Sequence, residues 1–337
     1  MPDLRTEITE IVTGLGMTGF DALPDALAAR PAVMRNVEPH HWDRLDGALE
    51  GGLHGSEFDS AWINGRTFLE SPDGLRGREP QLIEWKGAHQ PPGFDFLPVD
   101  LRIDHVFLVS CKYQSKVLMN SSPSNLFQRR LSDRLAGADS GSWYTSCAPD
   151  EYQHLYSCIR RHVGQQLLPP TVEALAASHV ARIRTACSQS WPTPLAPIWA
   201  EFSLAVAVQS AARWRRELQT PLRREEMLWR LLRLNGSTYF LLGSSDTGPI
   251  RLRIGTPWDL RQEFTMQDLD LAAVPAGQPK VSWTAHLTGN HSGDRHRVEG
   301  HVEVRWAHGR FSSVEAKIYL DTPHGEVPGY VPLVSAA

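Results

Sequence analysis

Apolar and polar positions repeat with different periods along this chain, and the change of period divides it. Residues 1 to about 40 hold short helical stretches broken at Pro24 and Pro31. Ser56 to Leu69 then sets Phe58, Ala61, Trp62, Gly65 and Phe68 at helical intervals, which predicts a helix with one apolar face. The segment SPDGLRGREP reads as turns, Gln81 to Trp85 as a strand, and QPPGF forces a loop before the strand-like run Leu97 to Lys112. Ser122 to Leu135 opens with a capping serine and Pro123, as a helix does. Between about 151 and 235 four stretches carry helical spacing: EYQHLYSCIRRHV, TVEALAASHVARIRTAC, PIWAEFSLAVAVQSAARWRREL and PLRREEMLWRLLRL. The last hundred residues switch to a period of two, in STYFLLGSS, PIRLRIGT, KVSWTAHLTG, RVEGHVEVRW and SVEAKIYLD, and predict a separate antiparallel sheet. Three regions follow: 1–150, 151–235 and 236–337.

At 337 residues, 41% hydrophobic and 21% charged, the chain has enough apolar mass for two or three globular cores. No apolar run approaches the roughly 20 residues of a bilayer span, and MPDLRTEITE is too polar for a signal-peptide core, so a cytoplasmic protein without a membrane partner is expected. Cys111, Cys147, Cys158 and Cys187 lack zinc-ligand spacing and disulfide density and read as reduced thiols. A net charge of −4 argues against a chain that coats nucleic acid over its whole surface. The 151–235 region nevertheless holds 11 arginines against 6 glutamates, with no aspartate or lysine, a local surplus suited either to a phosphate backbone or to solvated helix faces.

Lysine is scarce: Lys86, Lys112, Lys116, Lys280 and Lys317 are the only five among 34 basic side chains. Three of them end the triplets Glu84-Trp85-Lys86, Ser110-Cys111-Lys112 and Glu315-Ala316-Lys317. An ammonium retained where arginine supplies nearly every other positive charge suits a point charge beside a metal, a water or a phosphate. If Asp104, His105 and Val106 form a three-residue turn, Ile103 faces Phe107, Leu101 faces Val109 and Asp100 faces Ser110, with Lys112 two residues further on the same face. A two-residue turn would send Ser110 and Lys112 to the opposite face.

Pro98-Val99-Asp100 followed by Ser110-Cys111-Lys112 resembles the PD-(D/E)xK nuclease superfamily, whose core runs helix, three-strand meander, helix, strand. The resemblance covers about residues 50 to 150. It implies a restriction-endonuclease-like α/β fold with a mixed sheet flanked by helices, followed here by the helical region and the C-terminal antiparallel β domain. Ser56 to Leu69 would be the first helix, Gln81 to Trp85 the first strand, Ser122 to Leu135 the second helix and GSWYTSCA the fourth strand. Ser110 departs from the family, which has an acid there, so another carboxylate must hold the metal. Glu84 on the first strand and Glu57 at the start of the first helix are the candidates, and the helix after the lysine offers only Asp133. Asp73, in Pro72-Asp73, with Glu84-Trp85-Lys86 is a rival register, set second because its surroundings are turn-like. Asp104 would serve if the turn fell later.

The implied activity is hydrolysis of DNA phosphodiesters with Mg²⁺ or Mn²⁺ on Asp100 and an accessory acid, Lys112 orienting water or neutralising charge, and Ser110 at most bonded to a water of the cation. Lys116, Arg129 and Arg130 are the candidate phosphate contacts. The resemblance implies DNA as the partner, with a second copy of the chain or a partner protein as further candidates; no phosphate-cradling glycine loop is present, so an ATP-driven motor would be a separate chain, and the GxSxG elbow is absent too. A restriction or phage-defence setting follows by analogy of fold alone. The alternative is a catalytically inactive nuclease-like module that binds nucleic acid or protein. His40-His41 and the group His291, His296 and His301 lack ligand geometry, and Trp62, Trp199, Trp214 and Trp229 read as core.

Overall fold

The computed structural model describes residues 3–87, 99–113, 117–128, 142–187, 190–246, 248–275 and 277–334. Twelve strands lie among them: β1 Met34–Arg35, β2 Ile83–Trp85, β3 Leu101–Ile103, β4 Phe107–Tyr113, β5 Val117–Ser121, β6 Tyr239–Ser245, β7 Gly248–Ile254, β8 Phe264–Val274, β9 Lys280–Gly289, β10 Arg295–Trp306, β11 Val314–Leu320 and β12 Tyr330–Pro332. They form a mixed seven-stranded sheet, β1-β2-β3-β4-β6-β7-β12, and an antiparallel five-stranded sheet, β5-β11-β10-β9-β8.

The chain divides into two units. The first combines Met1–Lys116, Arg233–Phe264 and Pro323–Ala337; the second combines Val117–Leu232 and Thr265–Thr322. This division differs from the one at 150 and 235 that local composition suggests. The C-terminal strands do not form one domain: β6, β7 and β12 belong to the mixed sheet and β8 to β11 to the other. Period and polarity mark a strand but do not say which neighbour it pairs with, because that depends on distant residues.

In the first unit the meander β2-β3-β4 is antiparallel, and β4 pairs in parallel with β6, Cys111 opposite Leu242 and Lys112 opposite Gly243. The segment expected to supply that fourth strand is instead helical from Trp143 to Cys147. Gly243 is required where it stands, since a Cβ there would run into the Lys112 carbonyl. One sheet face, carrying Ile83, Trp85, Leu101, Ile103, Val109, Cys111, Phe240 and Leu242, packs on Ile8, Ile11, Val12 and Leu15 and on Phe58, Ala61, Phe68 and Leu69 of the helix Gly55–Glu70. Full burial of each such large side chain contributes roughly 1.5–3 kcal/mol. The N-terminal helical stretch meets Gly55–Glu70 at Gly16 and Gly65, where a Cβ on either glycine would strike the other helix's backbone. Leu4–Glu7 and Thr13–Leu15 are α-helical, and Ile8–Val12 between them is a π-helical turn.

In the second unit the four expected helices appear as Pro149–Val163, Ala177–Ala186, Ala196–Glu217 and Pro221–Leu231. Thr220 caps the last of these by accepting from the Arg223 N–H, with Pro221 just inside. Ser122 caps Pro123–Phe127 in the same way, through the Asn125 N–H. The four cysteines are free and buried. Among the described residues no helix is long and apolar enough to cross a membrane.

Candidate functional site

The β3–β4 hairpin has the three-residue turn. Ile103 faces Phe107 and Leu101 faces Val109, so Asp100, just ahead of β3, lies beside Ser110. Asp104 and His105 take left-handed backbone angles, φ 48° and 60°. The Asp104 carboxylate accepts the Gln81 and Leu82 N–H groups at 2.8 and 3.0 Å, so this acid builds the turn. The Asp100 N–H donates to the Val109 carbonyl at 2.8 Å, and its own carbonyl accepts the Lys86 N–H at 2.9 Å. Its carboxylate Oδ2 accepts from the Cys111 N–H at 2.6 Å and from the Ser110 hydroxyl at 3.2 Å. Ser110 therefore fixes the orientation of Asp100 itself, a different task from bonding a water.

Lys112 follows two residues after Ser110 on the same face of β4. Burial lowers its pKa, and the charge of Arg233 adds to the fall; Asp100, Cys111 and Glu10 pull the other way. An ammonium with little water around it and a carboxylate beside it is suited to meet a phosphate oxygen.

The second acid here is Glu10, a residue absent from the expected set. It sits in the Ile8–Val12 π-helical turn, and its Oε2 accepts the Trp85 indole N–H at 2.6 Å. Burial pushes its pKa up to about 8, the Asp100 charge adds to the rise, and the Trp85 hydrogen bond, Lys112 and Lys86 oppose it. A buried carboxyl whose ionisation the neighbouring Asp100 charge opposes is a group that a bound cation would relieve. No signal for it was present in the sequence: at helical spacing Glu10 falls on the side opposite Ile8, Ile11, Val12 and Leu15, where a solvated acid is the ordinary expectation. Glu7, one turn earlier, is also buried, and Arg44 donates to it at 2.7 Å.

The accessory acids proposed from sequence are engaged elsewhere. Glu84 takes both Arg102 nitrogens, the NH2 group at 2.8 Å, and has His105 at 3.4 Å, so it forms an ion pair toward the hairpin end of the sheet. The Arg102 hydrogen bonds hold its pKa below the usual carboxylate value. Glu57 accepts from Ser56 at 2.8 Å and faces His54 and Arg5, both at 3.2 Å, which makes it part of the start of its helix. Asp73 lies in a turn, its N–H donating to the Ser71 hydroxyl. Lys317 pairs with Glu315 at 3.2 Å on β11. His41 caps its helix through the Glu38 N–H, and His301 bonds Asp321 at 2.8 Å. Lys116, Arg129, Arg130 and Asp133 lie outside the described residues.

Among the described residues no group of three or more histidine, cysteine, aspartate or glutamate side chains has the arrangement of a metal site. Asp100 and Glu10 give two carboxylates, a donor set that suits Mg²⁺, which commonly takes one or two carboxylates and completes its shell with waters and substrate phosphate oxygens.

No known protein family matches this chain. No characterised protein shows significant similarity to it. No solved structure matches it.

Proposed function

We propose that the first unit is a metal-dependent phosphodiesterase acting on DNA, built on a PD-(D/E)xK-like core in which Ser-x-Lys replaces acid-x-Lys. The observation that carries this reading is the hydrogen bond of Ser110 to Asp100 on the strand that carries Lys112, with Glu10 within electrostatic reach of both Asp100 and Lys112. The order of elements supports it as well: a helix, the meander β2-β3-β4, and a later strand, β6, parallel to β4.

In this reading Asp100 and Glu10 hold the cation. A bound divalent ion supplies Lewis-acid charge at the scissile phosphate and makes a nucleophile of water at neutral pH. The Cys111 N–H and Ser110 hydroxyl keep the Asp100 carboxylate from rotating. The Trp85 indole does the same for Glu10, so both acids meet the cation without reorganising. Lys112 places its ammonium against the phosphate as negative charge develops, and Arg233 adds positive charge beside it.

A specific observation favours a second reading. Asp100 Oδ2 already accepts two donors, and among the described residues no third carboxylate joins the pair, as expected of a nuclease-like module that binds DNA or a partner without cutting. Incubation of the purified chain with plasmid DNA and Mg²⁺ or Mn²⁺ separates the two. Cleavage abolished in Asp100→Ala, Lys112→Ala and Glu10→Gln supports the nuclease; binding with no cleavage under any metal supports the module. Cleavage that survives all three substitutions overturns the assignment of this site.

A further inference from the structure

We propose that the second unit carries a nucleotide-binding cleft of its own, in which a planar base lies against tryptophan and an arginine holds the phosphate. This inference does not rest on the nuclease reading. A cleft of about 650 Å³, within the range of small-ligand sites, is lined by Trp191, Trp199, Gln278, Lys280, Glu303 and Arg310 among others. Two indoles form its apolar wall, Trp191 and Trp199, with ring centres 5.0 Å apart and planes 28° from parallel. Trp199 packs in turn against Trp306 at 5.4 Å and anchors its indole N–H on the Gly277 carbonyl, so the wall is fixed.

The charge in this cleft is positive and specifically placed. The Arg310 guanidinium lies 4.1 Å from the Trp191 ring centre, and among the described residues no carboxylate pairs with it. Its loop is fixed at two points: the Arg184 Nε donates to the Arg310 carbonyl at 2.9 Å, and Phe311 packs on Trp306 and Tyr152. A guanidinium resting on an indole keeps its in-plane N–H donors for an anion, and the fork suits phosphate. Glu303, the one carboxylate of the lining, is shared among Lys280 at 3.7 Å, Arg305 at 3.9 Å and His301 at 4.0 Å, so it leaves the cleft with surplus positive charge. Gln278 and Glu303 add the donor and acceptor groups that read the edge of a base. Aromatic wall, phosphate fork and polar edge together select a nucleotide over a purely apolar ligand or a bare anion. A free nucleotide and one within a single strand present the same chemistry to this cleft.

The test is tryptophan fluorescence and calorimetric titration of the full chain with AMP, adenosine, inorganic phosphate and a ten-residue oligothymidylate. The expected result is saturable quenching by AMP or by the oligonucleotide, with adenosine and phosphate each at least tenfold weaker. Arg310→Glu and Trp191→Ala should each weaken binding about tenfold or more, while Asp100→Ala leaves it unchanged. Oligonucleotide binding tenfold tighter than AMP makes the ligand a strand, and equal affinities make it a free nucleotide. Absence of saturable binding overturns the proposal, as do phosphate binding as tightly as AMP, binding that survives Arg310→Glu, or binding lost in Asp100→Ala. Arg310 sits on a loop, so its variant decides the matter if near-ultraviolet circular dichroism shows that Trp191→Ala unfolds the unit.

Discussion

The Trp85 indole N–H donates to Glu10 Oε2 at 2.6 Å, joining a strand of the meander to a helical turn 75 residues earlier. That bond stabilises the ionised carboxylate against burial and against the Asp100 charge, which both raise its pKa. Trp85→Phe keeps the apolar ring and removes the donor. The midpoint of Glu10 ionisation should rise above about 8, and the alkaline rise of any metal-dependent cleavage should move to higher pH with it. A pH–rate profile of the variant, or carboxylate titration by NMR, checks this; an unmoved midpoint would show that the bond does not tune Glu10.

Glu10 also makes stability depend on pH. Its folded pKa of about 8 lies above its ordinary 4.5, so the folded chain keeps a proton that the unfolded chain has released between those values. Stability is therefore undiminished below 4.5, falls as pH rises through that window, and carries the full penalty above 8. Glu10→Gln should match the parent near pH 4.5 and exceed it at pH 9 by up to about 5 kcal/mol, read as a rise in Tm. Mg²⁺ should raise the Tm of the parent at pH 9 and not that of Glu10→Gln. Thermal scans at the two pH values, with chelator and with Mg²⁺, decide both points.

Glu84→Gln separates the structural acid from the candidate ligands. The Arg102 pair is partly exposed, so its loss should cost no more than about 1 kcal/mol. Nuclease activity, where present in the parent, should stay within about twofold. A loss matching that of Asp100→Ala would return Glu84 to the site.

Gly65→Ala tests whether the close helix contact positions Glu10. A Cβ at residue 65 meets the Thr13 carbonyl, so the N-terminal helical stretch must shift. Overpacking of this kind costs about 1–3 kcal/mol. Metal affinity should fall with stability, whereas Gly47→Ala, inside the helix Pro39–Glu50 and facing open space, should leave metal affinity unchanged and raise stability by roughly 0.5–1 kcal/mol. Denaturant melts and metal titrations of the two variants measure the difference.

Local pattern was sufficient for most elements of this protein and for one long-range fact. The helices of 151–235 and the strands β6, β7, β9, β10 and β11 follow from period alone, because each buries one face and its spacing shows which. The hairpin register that sets Asp100 beside Ser110 was legible too, since Asp104, His105 and Val106 fix a turn and alternation does the rest. Tertiary structure alone decided that β4 takes β6 as its parallel neighbour and that the C-terminal strands serve two sheets. It alone decided which acid joins Asp100. Glu84 lies closer to Asp100 in sequence, but Arg102 opposite it on β3 takes its carboxylate. Glu10 arrives from the far end of the first unit's core because Gly16 and Gly65 let two helices touch. Such a meeting depends on packing between segments remote in the chain, and neither hydrophobic period nor motif spacing encodes it.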